Sequence, residues 1–399
     1  MRLTEPQTEG YAYCMNLIQM YNFSRLNSNI TSTKTYNQNG FVLSGHAGTG
    51  KSKVIEKLIT DLSASGIYGK VITFTGRAAS HLAGNGVPNT GTAHALLMEP
   101  VLDEKGNLKY FAKRSLSAVY EAVGGFLLVE EAGMMPWSLI ESFLTLNIPV
   151  IFVGDDEQLE AINDENVFSM PVAESWGGFF LSDILRTAED SPIDYLAKNI
   201  RENNLLALPN GVVPGDTIKF GKLSTAFTGF IRNHCREFDA IICGTNKTRK
   251  KINSHVRFAM GYNDEIPGVG EKLICLKNTV KSNQNINNGE LFEVVGVYKS
   301  SKKNCHKYSI KKMEGISKYT ITVDVDDEMF SSENRIEDNK SDRELCDFTF
   351  GYGISCHKVQ GSSIENVLFL DENVSFFLNQ KKFRYTAVTR ASKHITILK

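Results

Sequence analysis

Gly45-His46-Ala47-Gly48-Thr49-Gly50-Lys51-Ser52 stands directly after the apolar run Phe41-Val42-Leu43 and before Val54-Ile55-Glu56-Lys57-Leu58-Ile59, whose apolar spacing is helical. Strand, glycine-rich loop and helix in that order make a P-loop. Gly45, Gly48 and Gly50 let backbone N–H groups, that of Thr49 included, close around a polyphosphate at a helix N-terminus. Lys51 adds a point charge for the outer phosphates, and Ser52 offers a hydroxyl to Mg²⁺.

Outward from this loop, Lys70-Val71-Ile72-Thr73-Phe74-Thr75 reads as a buried strand and Gly76 to Leu82 as the turn and helix after it. That βαβ rhythm implies a parallel sheet, hence an α/β fold. The sheet resumes with Gly125-Phe126-Leu127-Leu128-Val129-Glu130-Glu131 and Val150-Ile151-Phe152-Val153-Gly154-Asp155, continuous apolar strands that end in acids. Acids at strand C-termini face the usual ligand crevice. The first of these strands is expected beside the P-loop strand, with Glu130 on the metal and Glu131 activating the attacking water. Gln158, in Gly154-Asp155-Asp156-Glu157-Gln158-Leu159, is a neutral amide placed to sense the γ-phosphate, although such a segment on its own is more commonly a plain turn.

A chain of 399 residues calls for two domains, here 1–180 and 181–399. Apolar spacing at Tyr11, Met15, Ile18 and Met20 predicts a helix beginning near Thr4. Residues 99–115 break the βαβ rhythm and read as an inserted hairpin, and the Pro- and Gly-rich stretch 208–215 reads as a linker. A second α/β unit opens with Asp239-Ala240-Ile241-Ile242-Cys243-Gly244-Thr245-Asn246. From about 290 to 345 the pattern turns to alternating antiparallel β, followed within that stretch by a charged surface loop at 333–342. His357-Lys358-Val359-Gln360-Gly361-Ser362-Ser363 combines polar and cationic donors suited to a phosphate backbone. Arg186 and Arg390 are candidates for stabilising a transferring phosphoryl group, a role isolated arginines carry only within a wider pattern.

Forty-four basic against forty-five acidic residues give a net charge of −1, which excludes a protein that coats nucleic acid by bulk attraction and leaves room for a local basic groove. Seven scattered cysteines without a CxxC pair suggest neither a zinc site nor a disulfide framework and fit a reducing cytoplasm. No apolar run reaches eighteen residues and no signal segment opens the chain, so no membrane partner is expected.

Taken in order, the motifs resemble those of superfamily 1 helicases, most closely the RecD-like branch typified by the phage Dda helicase, over nearly the whole chain. Leu3-Thr4-Glu5-Pro6-Gln7 is similar to the adenine-reading Q motif, with Gln7 as the reader. Gly45 to Ser52 stands for motif I, Glu130-Glu131-Ala132-Gly133-Met134 for motif II, Gly154 to Leu159 for motif III and Arg186 for the motif IV arginine. His357 to Ser362 stands for motif V and Tyr385 to Arg390 for motif VI.

The resemblance implies two RecA-like parallel-sheet cores in tandem, ATP and Mg²⁺ held between them, and a single DNA strand crossing both. It implies strand contacts from Thr75 and Arg77, from Thr92 and His94, from Asn246, and from His357, Lys358, Gln360 and Ser362. The hairpin takes the place of a duplex-splitting pin, where Tyr110 or Phe111 would stack on the separating base pair or simply make a hydrophobic contact within the hairpin. The insertion at about 290–345 takes the place of an SH3-like domain.

The implied function is an ATP-dependent DNA helicase moving 5′ to 3′, a monomeric phage protein of replication, recombination or repair in the cytoplasm of the infected host. Its partners would be single-stranded DNA, duplex junctions and replication or single-strand-binding proteins. Two departures favour the alternative of a weak-ATPase remodeller: Glu130 replaces the usual Asp, and Glu160-Ala161-Ile162 lacks the usual proline. RNA as the track stays open. A small-substrate P-loop kinase would leave Arg390, His357 and the second α/β unit without a use.

Overall fold

The computed structural model describes residues 2–27, 40–104, 108–160, 177–183, 191–207, 217–221, 227–313, 319–331, 345–375 and 379–399. Arg186, the linker at 208–215, residues 161–162 and the charged stretch 333–342 lie outside the described residues. Contacts group the chain into two compact units, one of Met1–Phe74, Asn85–Leu97 and Lys113–Pro209, the other of Thr75–Gly84, Met98–Ala112 and Asn210–Lys399.

The first half of the chain holds helix α1 (Glu5–Asn27), strand β1 (Gly40–Gly45), α2 (Lys51–Ala64), β2 (Lys70–Thr73), α3 (Gly76–Gly84) and β3 (Thr90–Thr92). The hairpin strands β4 (Met98–Leu102) and β5 (Leu108–Lys113) follow, then β6 (Leu127–Val129), β7 (Val150–Gly154) and β8 (Gly178–Leu181). Unit 1 is built on a six-stranded sheet in the order β3-β2-β6-β7-β1-β8, every pairing parallel. Its central strands are apolar throughout because helices cover both faces. Val42, Ile72, Leu127, Val129, Phe143 and Phe152 form one buried cluster. Helix α2 adds Val54, Ile55, Leu58, Ile59 and Leu62, a single apolar stripe at helical spacing.

The strand order corrects one expectation. The strand ending at Glu130 does not lie beside the P-loop strand: β7 pairs with β1 on one side and with β6 on the other. Periodicity identifies buried strands but says nothing of lateral order, which long-range packing sets. Gly154-Asp155, at the end of β7, is therefore the immediate neighbour of the P-loop strand.

In the second half run β9 (Ile218–Gly221), β10 (Ala240–Cys243), helix α4 (Asn246–Met260), β11 (Lys272–Cys275), the small pair β12 (Thr279–Lys281) and β13 (Gln284–Ile286), β14 (Leu291–Lys299), β15 (Cys305–Lys312) and β16 (Thr320–Asp326). After them come β17 (Phe348–Phe350), β18 (Gly353–Ser355), β19 (Ile364–Leu370), helix α5 (Gln380–Val388) and β20 (Ala391–Leu398). Unit 2 contains a second all-parallel sheet, β18-β10-β19-β20-β9, and an antiparallel sheet, β16-β15-β14-β11-β17. The two sheets share one core, with Ile241 and Leu368 of the first beside Phe292, Tyr308 and Phe348 of the second.

The antiparallel sheet reaches outside residues 290–345, since β11 and β17 pair with each other within it. Leu273, Ile274 and Cys275 in β11 and all of β17 are buried, so no alternation marks them as antiparallel. All seven cysteines are buried thiols, and no helix among the described residues is long and apolar enough to cross a membrane.

Candidate nucleotide site and nucleic-acid interface

The P-loop turns on two left-handed glycines, Gly48 at φ 86° and Gly50 at φ 78°, a region that costs a side chain energy. Gly45 is demanded by crowding instead, since a Cβ there would stand 2.9 Å from both Cβ and O of Leu181 on β8. Lys51 opens α2, and its Nζ donates to the carbonyls of Gly45 at 2.6 Å and His46 at 3.0 Å, so the ammonium already closes the loop on itself. Thr49 is buried, and its hydroxyl donates to His46 O at 2.9 Å. Ser52 is exposed in the first turn of α2. Gln7 reaches the loop from α1: its Nε2 donates to Thr49 O at 3.0 Å, while its Oε1 accepts from Thr4 N at 3.1 Å.

Glu130 is buried, and its Oε1 has no hydrogen-bond partner among the described residues. Burial pushes its carboxyl up to about 7; the Glu131 charge adds to that and Lys51 opposes it. An uncompensated buried carboxylate oxygen is the donor a hard cation takes, so Glu130 and the Ser52 hydroxyl fit a Mg²⁺ ion. Glu131 sits at φ 54°, left-handed backbone that a non-glycine residue rarely holds. Such strain concentrates where a side chain must be held for chemistry.

Past β7, Asp155 organises the turn, accepting from Glu157 N at 3.1 Å and from Gln158 Nε2 at 3.3 Å. Gln158 is buried, its Oε1 without a partner among the described residues. His46 Nδ1 lies 3.8 Å from Asp155 Oδ1, and the His46 ring meets Phe180 edge-on at 4.9 Å. Unit 1 thus gathers Gln7, the P-loop, Glu130, Glu131 and Gln158.

In unit 2 the Arg390 guanidinium is buried, donating to Thr386 O at 3.3 Å, Ser362 O at 3.4 Å and Thr389 Oγ1 at 3.3 Å. This joins the segments expected as motifs V and VI. Ser362 Oγ donates to Val359 O at 2.5 Å, and Gln360 is buried in the same turn as His357. Lys358 Nζ donates to Asn288 Oδ1 at 3.3 Å, and burial, with Arg249 nearby, lowers its ammonium to about 8. Asn246 is exposed at the start of α4.

Thr75 and Thr92 serve first as helix caps, their hydroxyls accepting from Ala78 N and Ala95 N, both at 3.2 Å. Helix α3 lies against the Asn287–Glu290 turn: a Cβ at Gly76 would stand 2.0 Å from Asn287 Cβ, and Ser80 Oγ donates to Glu290 Oε1 at 3.1 Å. Arg77 is buried beside that turn, a Cβ at Gly289 standing 3.9 Å from the Arg77 Cβ. His94 is exposed, its ring 6.3 Å from Phe74. On the hairpin, Tyr110 and Phe111 are 52% and 38% exposed, and they border a cleft of about 200 Å³ with Lys277, Asn278 and Asp347.

Residues 29–210 match the family model of an AAA domain, and residues 350–398 match that of the UvrD-like helicase C-terminal domain. An ATPase core and a helicase C-terminal domain on one chain decide the class. This is an ATP-dependent helicase. Its fold is shared with the Pif1 helicase from Candida albicans at 16% identity and a TM-score of 0.56, over 100% of this chain and 94% of that one. Bacteroides Pif1 bound to ssDNA matches at 18% identity and a TM-score of 0.58, over 100% of this chain and 92% of that one. Bacteroides Pif1 in complex with ADP-AlF3 and ssDNA matches at 17% identity and a TM-score of 0.56, again over 100% and 92%.

The sequence pattern did not single out one carboxylate that organises unit 2. Glu372, just past β19, accepts from Gly244 N at 2.6 Å, Thr245 N at 3.3 Å and Thr245 Oγ1 at 3.1 Å, and also from the Thr248 hydroxyl. One carboxylate therefore caps the whole strand-to-helix turn before α4. The rule that flags acids at parallel-strand C-termini, applied to Glu130 and Asp155, would have flagged Glu372 too. Glu290, in the Asn287-Asn288-Gly289-Glu290 stretch that resembles a second-core element of the branch, accepts from Lys312 Nζ at 2.6 Å and from Asn287 N at 2.8 Å.

Proposed function

We propose that the protein is an ATP-dependent DNA helicase that translocates 5′ to 3′ on single-stranded DNA and unwinds duplex. The observation that carries the ATPase half is the P-loop closed by Lys51 with the buried, unpartnered Glu130 carboxylate oxygen in the same unit. Ser52 and Glu130 would hold Mg²⁺, which when bound neutralises charge on the phosphates. Lys51 would leave the Gly45 and His46 carbonyls for the outer phosphates, Glu131 would take the proton of the attacking water, and Gln158 would sense the γ-phosphate.

DNA as the track is supported by neighbours described as bound to ssDNA, one of them together with ADP-AlF3. Within unit 2, Asn246, Lys358, Gln360 and Ser362 supply donors of the kind a phosphate backbone takes. Thr75 and Thr92 would contact it while capping their helices, alongside Arg77 and His94. Arg390, tied to Ser362, would pass the nucleotide state to the strand-contacting turn. Tyr110 and Phe111 would stack on a base at the junction. The 5′ to 3′ direction, the Dda-like closeness, the phage setting, the host cytoplasm, the monomeric state and a role in replication, recombination or repair rest on the motif resemblance.

Strand displacement on duplexes bearing either a 5′ or a 3′ single-stranded tail tests this reading. Unwinding from the 5′ tail alone is expected, and unwinding only from the 3′ tail would refute the polarity. One feature favours a second reading, a remodeller with weak ATP turnover: Glu130 stands where Asp is usual, and burial raises its carboxyl to about 7, so a bound cation would have to displace a proton. Strong stimulation of ATP turnover by single-stranded DNA would sink it.

A further inference from the structure

The buried stripe of helix α4 carries three polar side chains, Arg249, Asn253 and Arg257, each a turn from the next. Two of them are satisfied within the fold. Arg257 forks onto Glu271 at 2.7 and 3.0 Å and donates to Ile266 O at 3.0 Å. Asn253 donates to Phe350 O at 3.0 Å and accepts from Gly353 N at 2.8 Å. Arg249 is 4% exposed, yet among the described residues its guanidinium makes no hydrogen bond and no ion pair, and its Nε is sealed from solvent. A buried charge left without a partner is strongly unfavourable.

Among the described residues the surroundings of Arg249 supply no anion. Burial pushes the nearby Cys243 thiol up, so it stays neutral. Glu372, the carboxylate at that end of α4, is taken by Gly244 N, Thr245 N and the Thr245 and Thr248 hydroxyls. The neighbour is instead a second cation. Arg249 packs its backbone on β18, a Cβ at Gly353 standing 3.2 Å from Arg249 O, and β18 runs directly into the turn Cys356–Val359 that holds Lys358. Lys358 is half-buried, and the Arg249 charge adds to burial in lowering its ammonium. An anion between the two would relieve both the desolvation and the repulsion.

We infer that Arg249 and Lys358 together grip one backbone phosphate of single-stranded DNA, which makes Arg249 a strand-binding residue. The inference rests on the nucleic-acid reading of unit 2 above. A guanidinium offers paired N–H donors to two phosphate oxygens, and the Lys358 ammonium adds a point charge. Arg390, the arginine placed for the transferring phosphoryl group, is bonded to Thr386 O and Ser362 O, whereas Lys358 turns to Asn288, so the two cations answer different phosphates.

Anisotropy titration of the full chain with a fluorescent oligothymidylate, without nucleotide and over a series of NaCl concentrations, tests this on the native protein, Arg249→Met and Arg249→Lys. Arg249→Met keeps the reach of the side chain and removes its charge. It is expected to weaken strand binding by about tenfold or more, as the loss of a hydrogen bond to a charged group does. The slope of log K against log salt should shrink by about 0.7, the share of one phosphate on a single strand. Arg249→Lys should restore that slope but bind less tightly than the native protein, because it lacks the fork. ATP affinity of Arg249→Met, by calorimetry, should stay at the native value. Its unfolding temperature without DNA should equal or exceed the native one, since an apolar chain replaces a buried unpaired charge.

A Met variant with native strand affinity and slope would overturn the inference. So would one that fails to fold or melts below the native protein, which would make Arg249 a structural residue, and so would one that loses ATP affinity in place of strand affinity. A native protein that binds no single strand would bring down the nucleic-acid reading and this inference with it, an outcome distinct from the other three.

Discussion

Replacing Glu130 with Gln is expected to make the protein more stable at alkaline pH while abolishing ATP turnover. The magnitude follows from the carboxyl being held at about 7 instead of its ordinary 4.5 by burial, with Glu131 adding and Lys51 opposing. Below pH 4.5 folded and unfolded chains both carry the proton, so Glu130 costs nothing. As pH rises through that value the unfolded chain releases its proton while the folded one keeps it, and stability falls until the folded carboxyl also ionises near 7. At about 1.4 kcal/mol per pH unit, the cost is about 1 kcal/mol at pH 5 and about 3 kcal/mol at pH 8.

Gln has the same shape, leaves the Oε1 position as it was and never ionises, so it removes that cost alone. Urea unfolding in EDTA, followed by tryptophan fluorescence, measures it; Trp137 packs on the unit 1 core and reports that unit. Glu130→Gln should gain about 1 kcal/mol over the native protein at pH 5 and about 3 kcal/mol at pH 8. A difference that does not change with pH, or a variant less stable than the native protein at pH 8, would refute the reasoning.

Lys51→Ala should abolish ATP turnover, measured by phosphate release, and leave single-stranded DNA binding by anisotropy largely intact; equal losses of both would show that the two sites are not separable. Glu271→Ala should cost about 3–5 kcal/mol in urea unfolding, because it strands the Arg257 guanidinium that Glu271 now meets at 2.7 Å in the core; the double variant with Arg257→Met should recover part of that loss. Glu372→Ala should lower stability by about 2 kcal/mol or more by uncapping the turn before α4, whereas Glu372→Gln keeps most of it because the Thr245 and Thr248 hydroxyls can turn to accept. Equal losses for the two Glu372 variants would show that charge, and not hydrogen bonding, holds that turn.

Much of the candidate site is local in origin and so was legible. A P-loop is a contiguous strand, turn and helix, and the glycines at 48 and 50 are needed by the backbone of that one loop. The buried parallel strands carry unbroken apolar runs ending in Glu130 and Asp155, so their existence, their type and the face their acids share follow from short stretches of chain. The paired strands β4 and β5 are likewise a local pattern.

What long-range packing decides was not legible. The place of β7 between β1 and β6 depends on how separate βαβ units stack, and no residue within those strands encodes it. The antiparallel partners β11 and β17 hide in the sequence because burial on both faces erases the period of two. Gln7, matched by its position in a motif, is bonded through its Nε2 to Thr49 O of the phosphate loop, a contact between segments 42 residues apart. Sequence alone determined which residues are chemically fit to grip a nucleotide; only the tertiary structure decided which of their hydrogen bonds are already spent, because a buried polar group is satisfied by whatever the fold brings beside it, from anywhere in the chain.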